Sequence, residues 1–164
     1  MHDPSVDLPG IPPDELPPER LAAWRAFIRA HAAVVSRIER DLHERRLTPL
    51  TWYDVLIELV YAPDHRLRLS ELAEAVSLSR SGLTRLVDRL EQAGLLRREP
   101  HPTDRRGAYA VLTPAGREAV ARTRPRYLRD IATFFAAHLS EEESAVLGNA
   151  LERIREANSA ESAP

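Results

Sequence analysis

Between Leu69 and Leu112 the apolar pattern changes period once, and few folds accommodate such a change. Ser70 is placed to cap a short helix holding Leu72, Ala73 and Val76, and Ser77-Leu78 reads as a turn. Ser79 then caps a longer segment, Arg80 to about Ala93, in which Leu83, Leu86, Val87 and Leu90 recur at helical spacing. Gly94 stands where a left-handed residue closes a helix. Beyond it the period falls to two. Leu95-Leu96-Arg97-Arg98-Glu99 and Tyr109-Ala110-Val111-Leu112 read as strands, separated by a run from Pro100 to Gly107 dense in turn formers and charge. Two helices joined by a short turn make a helix-turn-helix. A hairpin directly after one makes it winged.

Helical stripes flank this module on both sides. Leu21, Trp24, Ile28, His31, Val35, Ile38 and Leu42 step by three and four, the seam that buries one stripe against another helix. His31 is its one polar member and is expected to be hydrogen-bonded or at an interface. Thr48-Pro49 reads as a cap and first helical position, opening a helix with Trp52, Val55, Leu56, Leu59 and Val60 on its buried face. Leu67-Arg68-Leu69 is a short alternating segment. Thr113-Pro114 starts another helix carrying Val120, Tyr127, Leu128, Ile131, Phe134 and Phe135. Ser140 with Glu143 forms a capping box before Val146, Leu147, Ala150, Leu151 and Ile154.

The predicted order is α–α–β–α–α–β–β–α–α: a mostly α protein with a small β-hairpin wing, a winged helix-turn-helix DNA-binding lobe and a helical dimerisation region. Its expected divisions are a disordered or extended proline-rich tail over 1–18, which holds six of the thirteen prolines, and a dimerisation helix over 19–47. The DNA-binding region follows over 48–113, C-terminal dimerisation helices over 114–157, and a frayed tail over 158–164.

Composition narrows the function. With no cysteine, the 164 residues offer no disulfide, thiolate metal site or cysteine nucleophile. His31, His43, His65, His101 and His138 lack metal-ligand spacing, so neither a metal nor another cofactor is expected. No glycine loop or nucleophile motif marks an enzyme. The acidic, proline-rich start is not a signal peptide, and no apolar run approaches the ~18 residues of a membrane span. A cytoplasmic protein is expected.

The net charge of −2 hides a partition: residues 1–20 and 140–164 each carry −4, while 21–139 carry fourteen acids and twenty arginines, net +6. Every cation is arginine, which codon bias explains, yet each is a fork-shaped donor suited to phosphate or guanine. Opposite the apolar stripe of the second helix stand Ser81, Thr84, Arg85, Asp88 and Arg89, with Ser79 and Arg80 at its start. Small hydroxyls permit close approach to base edges, arginine can bond guanine bidentately, and the helix N-terminus offers backbone donors to a phosphate. At the hairpin tip Asp104 is placed to orient one guanidinium of Arg105-Arg106, which suit a minor groove or a phosphate. Without a duplex partner the same residues would be a solvated helix face and a charged turn.

The stretch LSELAEAVSLSRSGLTRLVDRLEQAGLLRREPHPTDRRGAYAVLTPAGRE, Leu69 to Glu118, resembles the DNA-binding core of the MarR (multiple antibiotic resistance regulator) family. The family's wing pattern falls on Asp104, Arg106, Ala110, Leu112, Thr113 and Gly116, with Ala110 in place of the usual valine. The resemblance extends less sharply over about residues 20–157. It implies a bacterial homodimer, assembled through the first and last two helices, that binds a pseudo-palindromic operator and represses transcription. It carries DNA contact onto Ser81, Thr84, Arg85 and Arg106. Members of the family also bind small aromatic or anionic effectors in a crevice, for which Trp24, His31, Trp52, Tyr53, Asp54 and Arg98 are candidates here. The alternative is a winged-helix interaction or dimerisation module without DNA binding, against which Arg105-Arg106 argue.

Overall fold

The structure, a computed structural model, describes residues 16–76, 78–101 and 107–159, with only the backbone of Arg80 and Ser159. Helix α1 (Pro18–Glu44) leads to α2 (Leu50–Tyr61), a single 3-10 turn, strand β1 (Arg66–Arg68), α3 (Leu69–Ala75) and α4 (Arg80–Gln92). Strands β2 (Leu96–Pro100) and β3 (Ala108–Leu112) follow, then α5 (Pro114–Phe134), a second 3-10 turn and α6 (Glu141–Ser159). The element order agrees with the sequence pattern.

The strands form one antiparallel sheet in the order β1-β3-β2, so β1 joins the hairpin as a third strand. Leu67 and Arg98 both face Ala110 in register, and Leu96 faces Leu112. Side chains alternate across a strand. Leu96, Ala110 and Leu112 therefore enter the lobe core with Tyr53, Leu56, Leu59, Leu72, Leu83, Val87, Leu90 and Val120. The outward face carries Arg66, Arg68, Arg97 and Tyr109. A second, smaller core joins Ile38 and Leu42 of α1 to Leu50, against Ile131 and Phe134 of α5.

Local chemistry sets most boundaries. Thr113 caps α5 by accepting the Gly116 N–H at 3.1 Å, and its own hydroxyl donates to Gly94 O at 2.7 Å. A Cβ at Gly116 would lie 2.0 Å from Leu95 O, so only glycine lets this first turn rest on the start of the hairpin. Gly94 itself has φ +71°, the left-handed closure expected of it. Ser140 and Glu143 exchange the two bonds of a capping box, 2.8 and 3.1 Å.

Two expected caps lie elsewhere. Pro49, not Thr48, precedes α2, and it makes no side-chain bond. Thr48 turns instead to α5: its N–H donates to Thr123 Oγ1 at 3.3 Å and its hydroxyl to Ala119 O at 3.5 Å. Nor does Ser70 cap α3. That helix begins one residue earlier, and Glu71 accepts the Arg68 N–H at 3.0 Å.

The long apolar seam of α1 is covered only in part. Ile38 and Leu42 are buried, but Phe27 and Ile28 are exposed and Trp24 is 58% exposed. Leu128 and Phe135 are likewise exposed; Phe135 stands just past the end of α5 rather than inside it. Helix α6 packs only lightly on the rest of the chain, leaving Val146 64% and Ile154 60% exposed. No described helix is long and apolar enough to cross a membrane.

Candidate nucleic-acid interface

Helix α4 stands on the lobe core by Leu83, Val87 and Leu90, with Leu86 partly buried beside them. Residues three and four apart share a face, so this stripe turns Ser81, Thr84, Arg85 and Asp88 outward, with Arg89 at their flank. All five are exposed. Ser79 adopts extended backbone and accepts the Gly82 N–H at 3.1 Å, and its Oγ lies 3.3 Å from that of Ser81. One of the helix's first donors is thereby satisfied, and the positive end of the helix dipole still opens to solvent beside Ser81. Among the described residues, neither Arg85 nor Arg89 is in an ion pair.

Asp88 is the one acid on this exposed face, and Arg98 of β2 answers it. The Arg98 guanidinium lies 2.6 Å from Asp88 and 2.5 Å from Glu91, and reaches Thr84 O at 3.4 Å. The Arg98 N–H donates to the other Glu91 oxygen at 2.8 Å. Burial opposes the Arg98 charge, but bonds to the two carboxylates more than restore it and hold its pKa above the ordinary value. One side chain thus fixes the hairpin to α4 and neutralises an acid that would repel phosphate. Parity gives only the face: Arg98 shares the inward register of Leu96, and the hairpin's fold onto α4 supplies the partners.

Both terminal nitrogens of Arg98, a candidate effector contact, are engaged in these bonds. Tyr53, another candidate, lies deeper. It is 3% exposed in the lobe core, 4.8 Å from the Tyr127 ring at 51°, and burial pushes its hydroxyl pKa up. Trp52 is half-buried against the same core. Asp54 is half-buried too; burial first, then the nearby charges of Glu58 and Glu39, push its carboxyl up to about 6.

Trp24 and His31 lie on the uncovered half of α1. Phe27, which the sequence reading passed over, stands between them, its ring 6.1 Å from Trp24 and 6.3 Å from His31. Its spacing of three from Trp24 was the available signal. At about 1.5 Å of rise per residue, Trp24 is some 21 Å along the axis from Ile38, the first deeply buried residue of α1.

Asp104, Arg105 and Arg106 lie outside the described residues, as does the side chain of Arg80. The base of their loop is described: the His101 N–H donates to Gly107 O at 3.1 Å, and the His101 ring stacks on Tyr109 at 5.1 Å.

A polar-faced second helix, a short turn before it and a hairpin after it that β1 extends to three strands define a winged helix-turn-helix transcription regulator. Comparison with known proteins agrees. The MarR family model matches residues 47–107. The crystal structure of Sco3205, a MarR family transcriptional regulator from Streptomyces coelicolor in complex with DNA, is similar with a TM-score of 0.82 at 33% identity. That match spans 89% of this chain and 91% of Sco3205. AbsC, a MarR family regulator of the same organism, matches with a TM-score of 0.80 at 32% identity, over 88% of this chain and 97% of AbsC. The HTH-type transcriptional regulator MhqR of Bacillus subtilis is 29% identical over 77% of this chain and 84% of its own length. The chain belongs to the MarR family of transcription regulators and is not an enzyme.

Proposed function

We propose that the protein is a homodimeric repressor that reads an inverted-repeat operator in the cytoplasm. The observation that carries this reading is the α4 surface: a serine-capped N-terminus followed by exposed Ser81, Thr84 and Arg85, with the neighbouring acid neutralised by Arg98. The likeness to Sco3205, whose structure holds DNA, supports it. In this reading Ser81, Thr84 and Arg85 meet base edges in the major groove, while Ser79, Arg80 and Arg89 hold the flanking phosphates. Arg105 and Arg106, supported by Asp104, reach the backbone or the adjacent minor groove.

The uncovered apolar residues supply the dimer. Trp24, Phe27 and Ile28 of α1, Leu128 and Phe135 near the end of α5, and Val146 and Ile154 of α6 are too many to leave in water. Each is about half exposed, so burial against a second copy contributes half of the ~1.5–3 kcal/mol of a fully buried apolar side chain. The proposed divisions follow: α1, the end of α5 and α6 dimerise, while residues 48–113 read DNA. In this reading a small aromatic or anionic effector is held in a crevice lined by Trp24, His31, Trp52, Tyr53, Asp54 and Arg98, to which the second copy contributes.

Selection of bound fragments from the native genome, followed by footprinting, tests the proposal. An inverted repeat protected by a sedimenting dimer, its half-sites about one helical turn apart, is expected. A compact monomer at micromolar concentration, or fragments sharing no sequence, would refute it.

A further inference from the structure

The outward face of the wing sheet is cationic, and two of its arginines are fixed in place without a strong acidic partner. In the sheet register Arg68 lies opposite Tyr109, and Arg66 opposite Val111 one step further from the wing loop. The Arg66 guanidinium stacks over the Tyr109 ring at 5.1 Å. Arg68 bonds its NH2 to Nε2 of His101 at 2.5 Å, and the His101 ring itself rests on Tyr109. Arg97 shares the face but is paired with Glu99. Asp64 comes no nearer Arg66 than 3.9 Å and is itself 81% exposed, a separation worth little in water. Among the described residues, Arg68 is in no ion pair.

We infer that Arg66 and Arg68 form a second phosphate-binding surface, which holds the duplex just outside the half-site read by α4. Three observations carry it, and it rests on the proposed DNA binding. The aromatic platform keeps both guanidinium groups extended on an exposed face, so little side-chain freedom remains to be lost on binding. The patch is continuous with the wing, because His101 and Tyr109 flank the loop that bears Arg105 and Arg106. Two planar forks of one sign suit the regular phosphates of a duplex, which accept such contacts whatever their sequence. The contact therefore adds affinity without base preference and lengthens the site beyond the α4 and wing footprint.

The test uses the full chain and two duplexes: a selected operator trimmed to its shortest binding length, and the same operator extended by about one helical turn at each end. Wild type should bind the extended duplex about tenfold more tightly at low salt, since each added phosphate contact releases counterions. Arg66→Gln with Arg68→Gln should remove that gain and lower the salt slope on the extended duplex by about two per half-site. Binding to the trimmed duplex and thermal melting should stay unchanged. A wild type indifferent to duplex length overturns the inference without recourse to any variant, as does a double variant that keeps the gain. Failure of the wild type to bind any duplex overturns the proposed function and this inference with it. Equal losses on both duplexes would place the two arginines within the primary footprint and overturn the second surface.

Discussion

Arg126 of α5 reaches across to α1 and takes both oxygens of Asp41, at 2.5 and 2.6 Å. The same Nε lies 3.0 Å from Asp130, whose carboxyl is buried with neither oxygen hydrogen-bonded. Two carboxyl groups thus share one guanidinium where α1 crosses α5, and Arg45 adds a 2.9 Å bond to Asp41. Their pKa values part accordingly. Burial pushes Asp41 up, but bonds from Arg126 and Arg45 overcome it and hold the group below the usual carboxylate range. Asp130 moves the other way, raised by burial and by the charge of Asp41.

Removing the shared cation should therefore cost far more than removing an exposed one. Arg126→Ala leaves two acids facing each other in a half-buried joint. Arg155→Ala loses only a solvated pair with Glu152 on α6. Melting of the two variants should differ clearly, with Arg126→Ala much the lower. Asp130→Asn should do the reverse of harm. Because the folded pKa of Asp130 is raised, its ionisation opposes folding at any pH above the ordinary carboxylate value. The variant should gain on wild type at neutral pH, and the gain should fade as pH falls toward 4. Equal melting temperatures across that range would show that the carboxyl ionises freely.

Asp54 offers a second titration at a place nearer the lobe. Its carboxyl is raised to about 6, above the usual carboxylate range. A raised acid favours the folded state most when both states are protonated, and that advantage is lost as pH climbs through 6. Asp54→Asn should raise stability by on the order of 1–2 kcal/mol at pH 8 and by almost nothing at pH 4. Urea midpoints at the two pH values decide it.

How much of this was legible in the sequence depends on distance along the chain. Ser79, Thr113 and Ser140 cap helices through bonds that span three residues, so their motifs could be read directly. Thr48 carries the same local signature, yet its partners are Ala119 and Thr123, more than seventy positions away. Nothing nearby reveals that competition. The Arg126–Asp41 pair spans 85 positions and joins helices whose crossing only the tertiary packing sets. The exposed face of α4 followed from periodicity, whereas the commitment of Arg98 to Asp88 and Glu91 needed the fold of the hairpin back onto that helix. The exposure of Trp24, Phe27 and Ile28 was likewise invisible, because apolar stripes do not say which part the chain itself will cover.

Arg98 makes a prediction that separates positioning from contact. Arg98→Ala should release β2 from α4 and expose the charges of Asp88 and Glu91 beside the duplex. Operator affinity should fall by about tenfold, the scale of one lost charge-assisted interaction. If the loss comes from the uncovered acid, adding Asp88→Asn to the Arg98→Ala background should recover part of it. If Arg98 touched phosphate itself, the second substitution would restore nothing, and the double variant would bind like the single one.

In the proposed complex with DNA, Arg85 is the residue that separates sequence reading from adhesion. It projects from the exposed face of α4 one turn after Ser81, and among the described residues it is in no ion pair. An unpaired fork at that position can meet N7 and O6 of a guanine together, a contact that other base pairs do not reproduce. Arg85→Ala should then weaken binding to the operator by roughly 1–3 kcal/mol per half-site, and binding to scrambled duplex much less. Arg105→Ala at the wing should weaken both duplexes more evenly, as loss of a phosphate contact does. Titrating wild type and both variants against operator and scrambled duplex at one salt concentration gives the comparison. Fixed salt matters, because the electrostatic share of affinity changes steeply with it and would blur the ratio. Equal losses on the two duplexes for Arg85→Ala would mean that this arginine holds backbone, and base reading would pass to Ser81 and Thr84, whose hydroxyls share its face.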